Sequence, residues 1–349
     1  MNKFRTVDLF CGGGGLSRGL QNAGFDIVAS FDSWPAAVSF YNQNFKDHSA
    51  YLQDLSKVQE SVIRIQKWKP TVIVGGPPCQ DFSSAGKRDE NGGRAELTIA
   101  YAQIVTAIRP QLFIMENVDR ALKSVTYRRA IRMFEEAGYH VSIEVLDASL
   151  CGVPQRRKRV VSVGSLVKSL APLAEVYDKM KAKHPMTIRD YFGTSLGIEY
   201  YYRHPRSYAR RGVFSIDEPS PTVRGVNRPI PKGYVGHPGD AAPVSTPSLR
   251  PLTTKERSLI QTFPSEWELS GAKSDIEQII GNAVPVKLAE FIGRAIMKID
   301  SDSPLVAENE CLSSALVADE LRPLRQDIMA LGLTDGVCPR LNRGRLVTP

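Results

Sequence analysis

The stretch VGGPPCQDFSSAGK places one cysteine, Cys79, behind a β-branched run, two glycines and two prolines. Pro77 and Pro78 fix φ and keep the preceding chain extended. A loop built this way can hold a thiol in a set direction. The thiolate is the reactive form, and nearby arginines would lower its pKa. The competing reading is a small buried hydrophobe, but Cys79 lies in a polar loop rather than an apolar run. Glu116, in MENV, closes an apolar strand. A carboxylate so placed pairs with a base, stays protonated and donates, or forms a structural ion pair. In QRRKRVV, Arg157 and Arg159 alternate and share one side if the strand starts early. Such a pair can hold a phosphate or a pyrimidine carbonyl; a solvated charge cluster is the alternative. The glycines Gly12, Gly13, Gly14 and Gly15 follow an apolar strand, and Asp32 stands about twenty residues on, a spacing that suits the ribose of a nucleotide-like ligand. A tight turn and a helix N-cap are the plainer readings of these two features.

These groups need a frame. Residues 6–10 and 26–31 read as strands, joined through a helix whose Leu16, Leu20 and Ala23 share a face and which Gly24 ends. TVIV, LFIME, VSIEVL and RVVSVG read as further strands, residues 101–108 and 128–137 as helices. Strands alternating with helices predict a parallel, doubly wound α/β sheet to about Gly164. Ligands of such sheets sit beyond the carboxyl ends of the strands, where Gly12, Asp32, Cys79 and Glu116 all fall. From about residue 165 to 251 the chain is rich in Pro, Gly, Arg and Tyr and lacks a long helical period, which predicts a second, smaller, irregular domain. Leu288, Phe291, Ile292, Ala295, Ile296 and Ile299 form one apolar stripe, a helix expected to dock back on the first domain.

The 349 residues carry a formal net charge of +8, which favours an anionic partner. The five cysteines are scattered, with no CxxC pair and no Cys/His cluster at metal-binding spacing, so no metal is expected and the thiols read as free in a reducing compartment. No segment reads as a signal peptide or membrane span, and a cytoplasmic protein without membrane contact is expected.

The blocks DLFCGGGGLSRG, GGPPCQDFSSAGK, MENV, QRRKR, RPLTTKERSLIQTFP and GNAVP occur in that order, with a variable region between the fourth and fifth. In this the chain resembles the DNA cytosine-C5 methyltransferases of bacterial restriction–modification systems, to about residue 299. The resemblance implies a Rossmann-like sheet dependent on S-adenosylmethionine, with a smaller irregular target-recognition domain. It implies that Cys79 attacks C6 of a flipped-out cytosine, that Glu116 contacts N3 and the exocyclic amine, and that Arg159 holds the O2 edge with Arg157 in support. Phe10, the glycine loop and Leu16 would cradle the methionine part of the cofactor. Asp32 would bind the ribose and Asp54 the adenine amine, with Leu55 and Pro78 packed nearby; Asn282, Ala283 and Val284 would close the pocket. Two positions depart from the family pattern: Ser33 stands where an apolar or aromatic residue usually meets the adenine, with Trp34 one place on, and Ile279 stands where glutamine often precedes GN.

The implied division is 1–164 for catalysis and cofactor binding, 165–277 for target recognition including the RPLTT block, 278–300 for a segment returning to the first domain, and 301–349 for a disordered tail. Gln80, Ser83, Arg203, Arg206, Arg224 and Arg228 are the expected DNA contacts, since arginines with interleaved tyrosines suit phosphates and base edges. The blocks resemble most the branch acting on GRCGYC-type sites. Double-stranded DNA, a cognate restriction endonuclease acting on the same site without a stable complex, and a monomeric state follow as expectations. Three other readings compete: a tRNA substrate on the same fold, a non-catalytic DNA-binding regulator, and a nicotinamide-dependent oxidoreductase. The basic insert before RPLTT argues against the first, and the intact Cys79, Glu116 and Arg159 against the second; the third rests on the glycine loop alone.

Overall fold

The strands β1 (Arg5–Leu9), β2 (Asp26–Asp32), β3 (Ala50–Leu52), β4 (Val72–Gly75), β5 (Leu112–Val118), β6 (His140–Asp147) and β8 (Lys158–Ser165) form one sheet in the order β3-β2-β1-β4-β5-β8-β6. They belong to a computed structural model that describes residues 4–78, 95–207, 209–302 and 304–305. The expected nucleophile Cys79, the expected DNA contacts Gln80 and Ser83, and residues 306–349 of the expected 301–349 tail lie outside the described residues; at the start of that tail the last described helix runs on to Asp302 and Leu305 is buried in the core.

Successive residues of a strand face opposite sides, and the sheet uses both. Val72, Val74, Leu112 and Ile114 pack under α1 (Gly15–Asn22), α6 (Leu173–Met180) and α10 (Val286–Asp302). Val7, Leu9, Ile73, Phe113 and Met115 pack under α3 (Val58–Gln66), α4 (Ala95–Ile108) and α5 (Val125–Glu136). All six residues of the apolar stripe on α10 are buried there, so this helix does return to the sheet. Near the glycine loop a third cluster joins α2 (Pro35–Asn44) to α8 (Thr254–Ile260) and α9 (Lys273–Asn282) through Phe40, Phe263, Trp267, Ile276 and Ile279.

The sheet is not parallel throughout. β8 inserts between β5 and β6 and runs antiparallel to both. Only residues 148–157 separate β6 from β8, including a short β7 (Gln155–Arg156). That is too short for a crossover helix, which a parallel return needs. The region after residue 165 is also more ordered than its composition suggests. It holds α6, the short α7 (Ile188–Phe192), an antiparallel pair β9 (Tyr200–Tyr202) and β10 (Val213–Ser215), and β11 (Ser220–Pro221), which pairs in parallel with β7. These elements are two to eight residues long, below the length at which periodicity shows in a sequence.

Candidate active site

The glycine loop leaves β1 through Phe10, whose φ of 58° turns the chain out of the sheet. Gly12 follows at φ 52°, and a Cβ there would meet nothing within 4 Å, so the backbone faces open space. Asp32, at the end of β2, takes the Gly12 N–H on Oδ2 and the Trp34 N–H on Oδ1, both at 2.9 Å. Burial raises its pKa and these backbone donors oppose the rise. The loop is held tightly from behind. A Cβ on Gly13 would stand 2.5 Å from Ile279 Cγ2, and one on Gly15 would stand 2.1 Å from the Val284 carbonyl oxygen. Ile279 therefore packs beneath the loop, where a long polar side chain would have to be desolvated.

The opposite wall comes from β5 and β8. Glu116 is 7% exposed, and its Oε1 forms an ion pair with Arg159 Nε at 2.8 Å. Strand register brings the pair together: Val118 stands opposite Arg159, two residues on from Glu116 opposite Val161. Asn117 Nδ2 donates to the Pro77 carbonyl at 3.0 Å, which ties the acidic strand to the loop that carries Cys79. A Cβ on Gly76 would lie 3.2 Å from Glu116 Oε2, so glycine keeps that edge of the carboxylate clear.

Arg157 and Arg159 do share a side, while Arg156 before them and Lys158 between them are exposed. Their partners differ. Arg157 is buried and donates to the carbonyls of Val223 at 3.3 Å, Gly281 at 3.2 Å and Ala283 at 3.0 Å. Burial, then the charge of Arg159, lowers its pKa. It buckles the start of β8 to the segment around Val223 and to the wall that follows α9. Gln155 supports the same buckle, with its Oε1 accepting from Val223 N at 2.9 Å and its Nε2 donating to Gln261 at 2.8 Å.

One cleft of about 1390 Å³ joins these walls. Phe10, Gly12, Gly13, Gly15, Leu16, Asp32, Ser33 and Trp34 line one part, and Pro78, Glu116, Arg157 and Arg159 another. Asn282, Ala283 and Val284 complete it, and Arg203, Arg206 and Arg224 form its basic side. Four expected site residues stand outside this lining. Gly14 turns at φ 82° against Phe45 and Tyr41, Leu55 is buried in the core, Asp54 is exposed with its carboxylate on Ser56, and Arg228 is exposed near Arg224 and His204. Burial lowers the pKa of Arg224, and neighbouring Arg206 and Arg228 lower it further. Arg203, which holds the Thr222 carbonyl at 2.8 Å, is pushed down to about 10 by burial and then by Arg224. Like charges gathered at one rim are relieved by a polyanion.

Ser33 and Trp34 both line the cleft, so the Trp34 indole stands next to the position, Ser33, expected to meet the adenine. Asn117 and Gln155 were not singled out in the sequence; each stands next to or within a block that was, MENV and QRRKR. The two described cysteines are poor nucleophiles: burial pushes the Cys11 thiol well up and the Cys151 thiol up to about 12. Among the described residues no group of three or more His, Cys, Asp or Glu is placed to hold a metal ion.

The family model for C-5 cytosine-specific DNA methylases matches residues 4–298. The chain is 55% identical over 292 residues to the Type II methyltransferase M.HgiDI of Herpetosiphon aurantiacus, covering 84% of this chain and 94% of that one. It is 52% identical over 298 residues to the Type II methyltransferase M.HindV of Haemophilus influenzae, covering 85% and 98%. Among solved structures, the S. pombe Dnmt2 methyltransferase superposes with a TM-score of 0.61 at 19% identity over 85% of this chain and 99% of the other, a likeness of fold. Type and order of residues, one shared cleft and the family match lead to the same result: the chain belongs to the C-5 cytosine-specific DNA methylases.

Proposed function

We propose that this DNA cytosine-C5 methyltransferase works by covalent activation of a flipped-out base, with Cys79 as nucleophile, Glu116 as the group at N3 and the exocyclic amine, and Arg159 at the O2 edge. The Glu116–Arg159 pair at 2.8 Å, tied through Asn117 to the loop two residues before Cys79, is the observation that carries this reading. C5 of cytosine is a poor nucleophile while the ring is aromatic. Addition of the Cys79 thiolate to C6 breaks the C5–C6 double bond and leaves an electron pair at C5. Glu116, held by Arg159, faces N3 and the exocyclic amine and stabilises the activated ring in its N3-protonated form, so that no net negative charge is left on the base as the thiolate adds. Once that pair has bonded C5 to a methyl group, a base takes the C5 proton; the C–H electron pair restores the C5–C6 double bond and expels the thiolate. The base must leave the duplex to expose both faces of its ring.

The open backbone at Gly12, the paired Asp32 carboxylate and the rings of Phe10 and Trp34 fit S-adenosylmethionine. When bound, it supplies the methyl group that C5 accepts. Asp32 would hold the ribose hydroxyls with the lone pairs its backbone bonds leave free, and residues 282–284 would close over the ligand. Asp54 remains the proposed partner of the adenine amine and Leu55 its packing neighbour.

The DNA duplex is read by the segment within 165–277, with GRCGYC as the first site to test. Protection against a partner endonuclease that reads the same site is the biological role this reading assigns, with the enzyme acting as a cytoplasmic monomer. The Type II names of the relatives support that role. Among the described residues no helix is long and apolar enough to cross a membrane.

The test uses duplex DNA carrying 5-fluorocytosine at the target. Fluorine at C5 is not lost as a proton is, so the wild-type enzyme should remain covalently joined through Cys79 and shift in a denaturing gel. Cys79→Ala should give no adduct and no methylation. Native turnover by that variant would sink the mechanism.

A further inference from the structure

The loop of residues 231–240 stands at the cleft, and one carboxylate holds it. Asp240 Oδ1 accepts from the backbone N–H of Gly212 at 2.7 Å and of Val213 at 2.9 Å. Its Oδ2 accepts from the His237 N–H and from the Tyr234 hydroxyl, both at 2.8 Å. The Asp240 N–H in turn donates to the His237 carbonyl at 2.9 Å. Tyr234 is buried edge-on against Tyr202, and Gly236 turns at φ 97°. The loop is therefore fixed at both ends and at its centre, unlike an ordinary surface connection. Within it, His237 lines the cleft beside Arg210 and Arg211, and Val235 stands 95% exposed.

The ring of His237 is also fixed. Its Nδ1 accepts from the Gly239 N–H at 2.9 Å. With Nδ1 occupied as an acceptor, the ring proton sits on Nε2, which can then only donate. A group that presents one donor and no acceptor discriminates between edges. It suits the N7 of a purine and opposes the amino groups of adenine and cytosine. A phosphate needs no such selection. The exposed Val235 favours a base edge over a phosphate as well, since an apolar side chain gains from covering a pyrimidine's C5 edge.

We propose that His237 is a specificity-determining residue whose Nε2–H donates to the N7 of a purine in the recognised sequence, presented by the loop that Asp240 holds. This rests on the reading of the protein as a DNA methyltransferase.

The experiment uses the full-length enzyme and a duplex bearing the methylated sequence, first mapped by bisulfite sequencing of plasmid DNA from expressing cells. Each guanine and adenine of that sequence is replaced singly by its 7-deaza analogue, which lacks the N7 acceptor. For the wild type, one replacement should lower kcat/KM by about 3- to 10-fold, the worth of a single hydrogen bond. His237→Ala should lose about the same factor on unmodified DNA and lose nothing more at that one replacement. His237→Gln, which keeps an N–H donor, should recover part of the loss and part of the sensitivity. If no 7-deaza replacement slows the wild type, or if His237→Ala stays as sensitive as the wild type at every position, the proposal fails. It fails too if His237→Ala weakens all duplexes alike and lowers the salt dependence of binding, since that is a phosphate contact. An enzyme that methylates no DNA at all would instead overturn the functional reading on which this rests.

Discussion

The Asn117 side chain donates to the carbonyl of Pro77, and Glu116, its neighbour in the chain, faces the other way onto Arg159. Strand alternation alone explains this: residues 116 and 117 project to opposite sides of β5, so one side chain presents the acid and the other anchors the loop that leads to Cys79. The consequence is testable. Asn117→Ala removes the donor and leaves the Pro77 carbonyl without it. Loss of aim at Cys79 should lower kcat by about 10- to 100-fold, with the affinity for S-adenosylmethionine unchanged by isothermal titration. An equal loss in both quantities would show that Asn117 holds the whole fold rather than the loop. The acid was legible in MENV because a carboxylate ending an apolar strand needs an explanation. The amide beside it was not, because its partner is a backbone atom forty residues away in the chain.

At the scale of elements, close approach and buried polarity decide how the cofactor wall stands. A Cβ on Gly19 would meet the Val286 carbonyl oxygen at 2.3 Å and Ala289 Cβ at 2.4 Å, so α1 and α10 touch backbone to backbone there. Gly19→Ala should push the helices apart and cost about 1–3 kcal/mol, read as a lower midpoint in urea denaturation; an unchanged midpoint would mean that α10 yields freely. Beneath α1 a hydrogen-bonded chain runs from Asp8 through Ser17, Ser30 and Tyr41 to His48, with links of 2.6, 3.4, 2.8 and 2.7 Å, and joins β1, α1, β2 and α2. Burial raises the Asp8 carboxyl from 3.8 to about 7. The folded state therefore holds a proton that the unfolded chain has released between roughly pH 4 and 7, and stability contributed by this group falls as pH rises through that window. Asp8→Asn stays uncharged and still accepts from Ser17, so its stability should be flatter across the same window in denaturant titrations. Parallel curves for the two proteins would reject the assignment. The strands and α10 were legible in the sequence because their apolar runs are long. The antiparallel β8 was not, because a strand's direction depends on the length of its connection and on its neighbours.

For the whole molecule, the formal charge of +8 says only that an anionic partner is favoured. The fold turns that excess into a surface by bringing Arg203, Arg206 and Arg224, from either side of β10 and β11, to the rim that faces Glu116 and Arg159. Which arginines gather was only partly visible beforehand. Arg203, Arg206 and Arg224 line the cleft with Arg157, whereas Arg228 stands outside it. Arg157 reads in the sequence like its neighbours, yet its guanidinium is spent on three carbonyls within the protein. This sorts the arginines by salt dependence. A cation that neutralises a phosphate releases a counterion, so Arg206→Ala should lower the slope of log Kobs against log salt by about 1 for any duplex sequence. Arg157→Ala should leave that slope unchanged, while its binding and turnover both fall because the segment around Val223 and the wall at residues 281–283 lose their common anchor. The measurement is a filter-binding or anisotropy titration over a range of salt concentrations. A slope that drops equally in the two variants would place Arg157 on the phosphates and remove the buckle from the account.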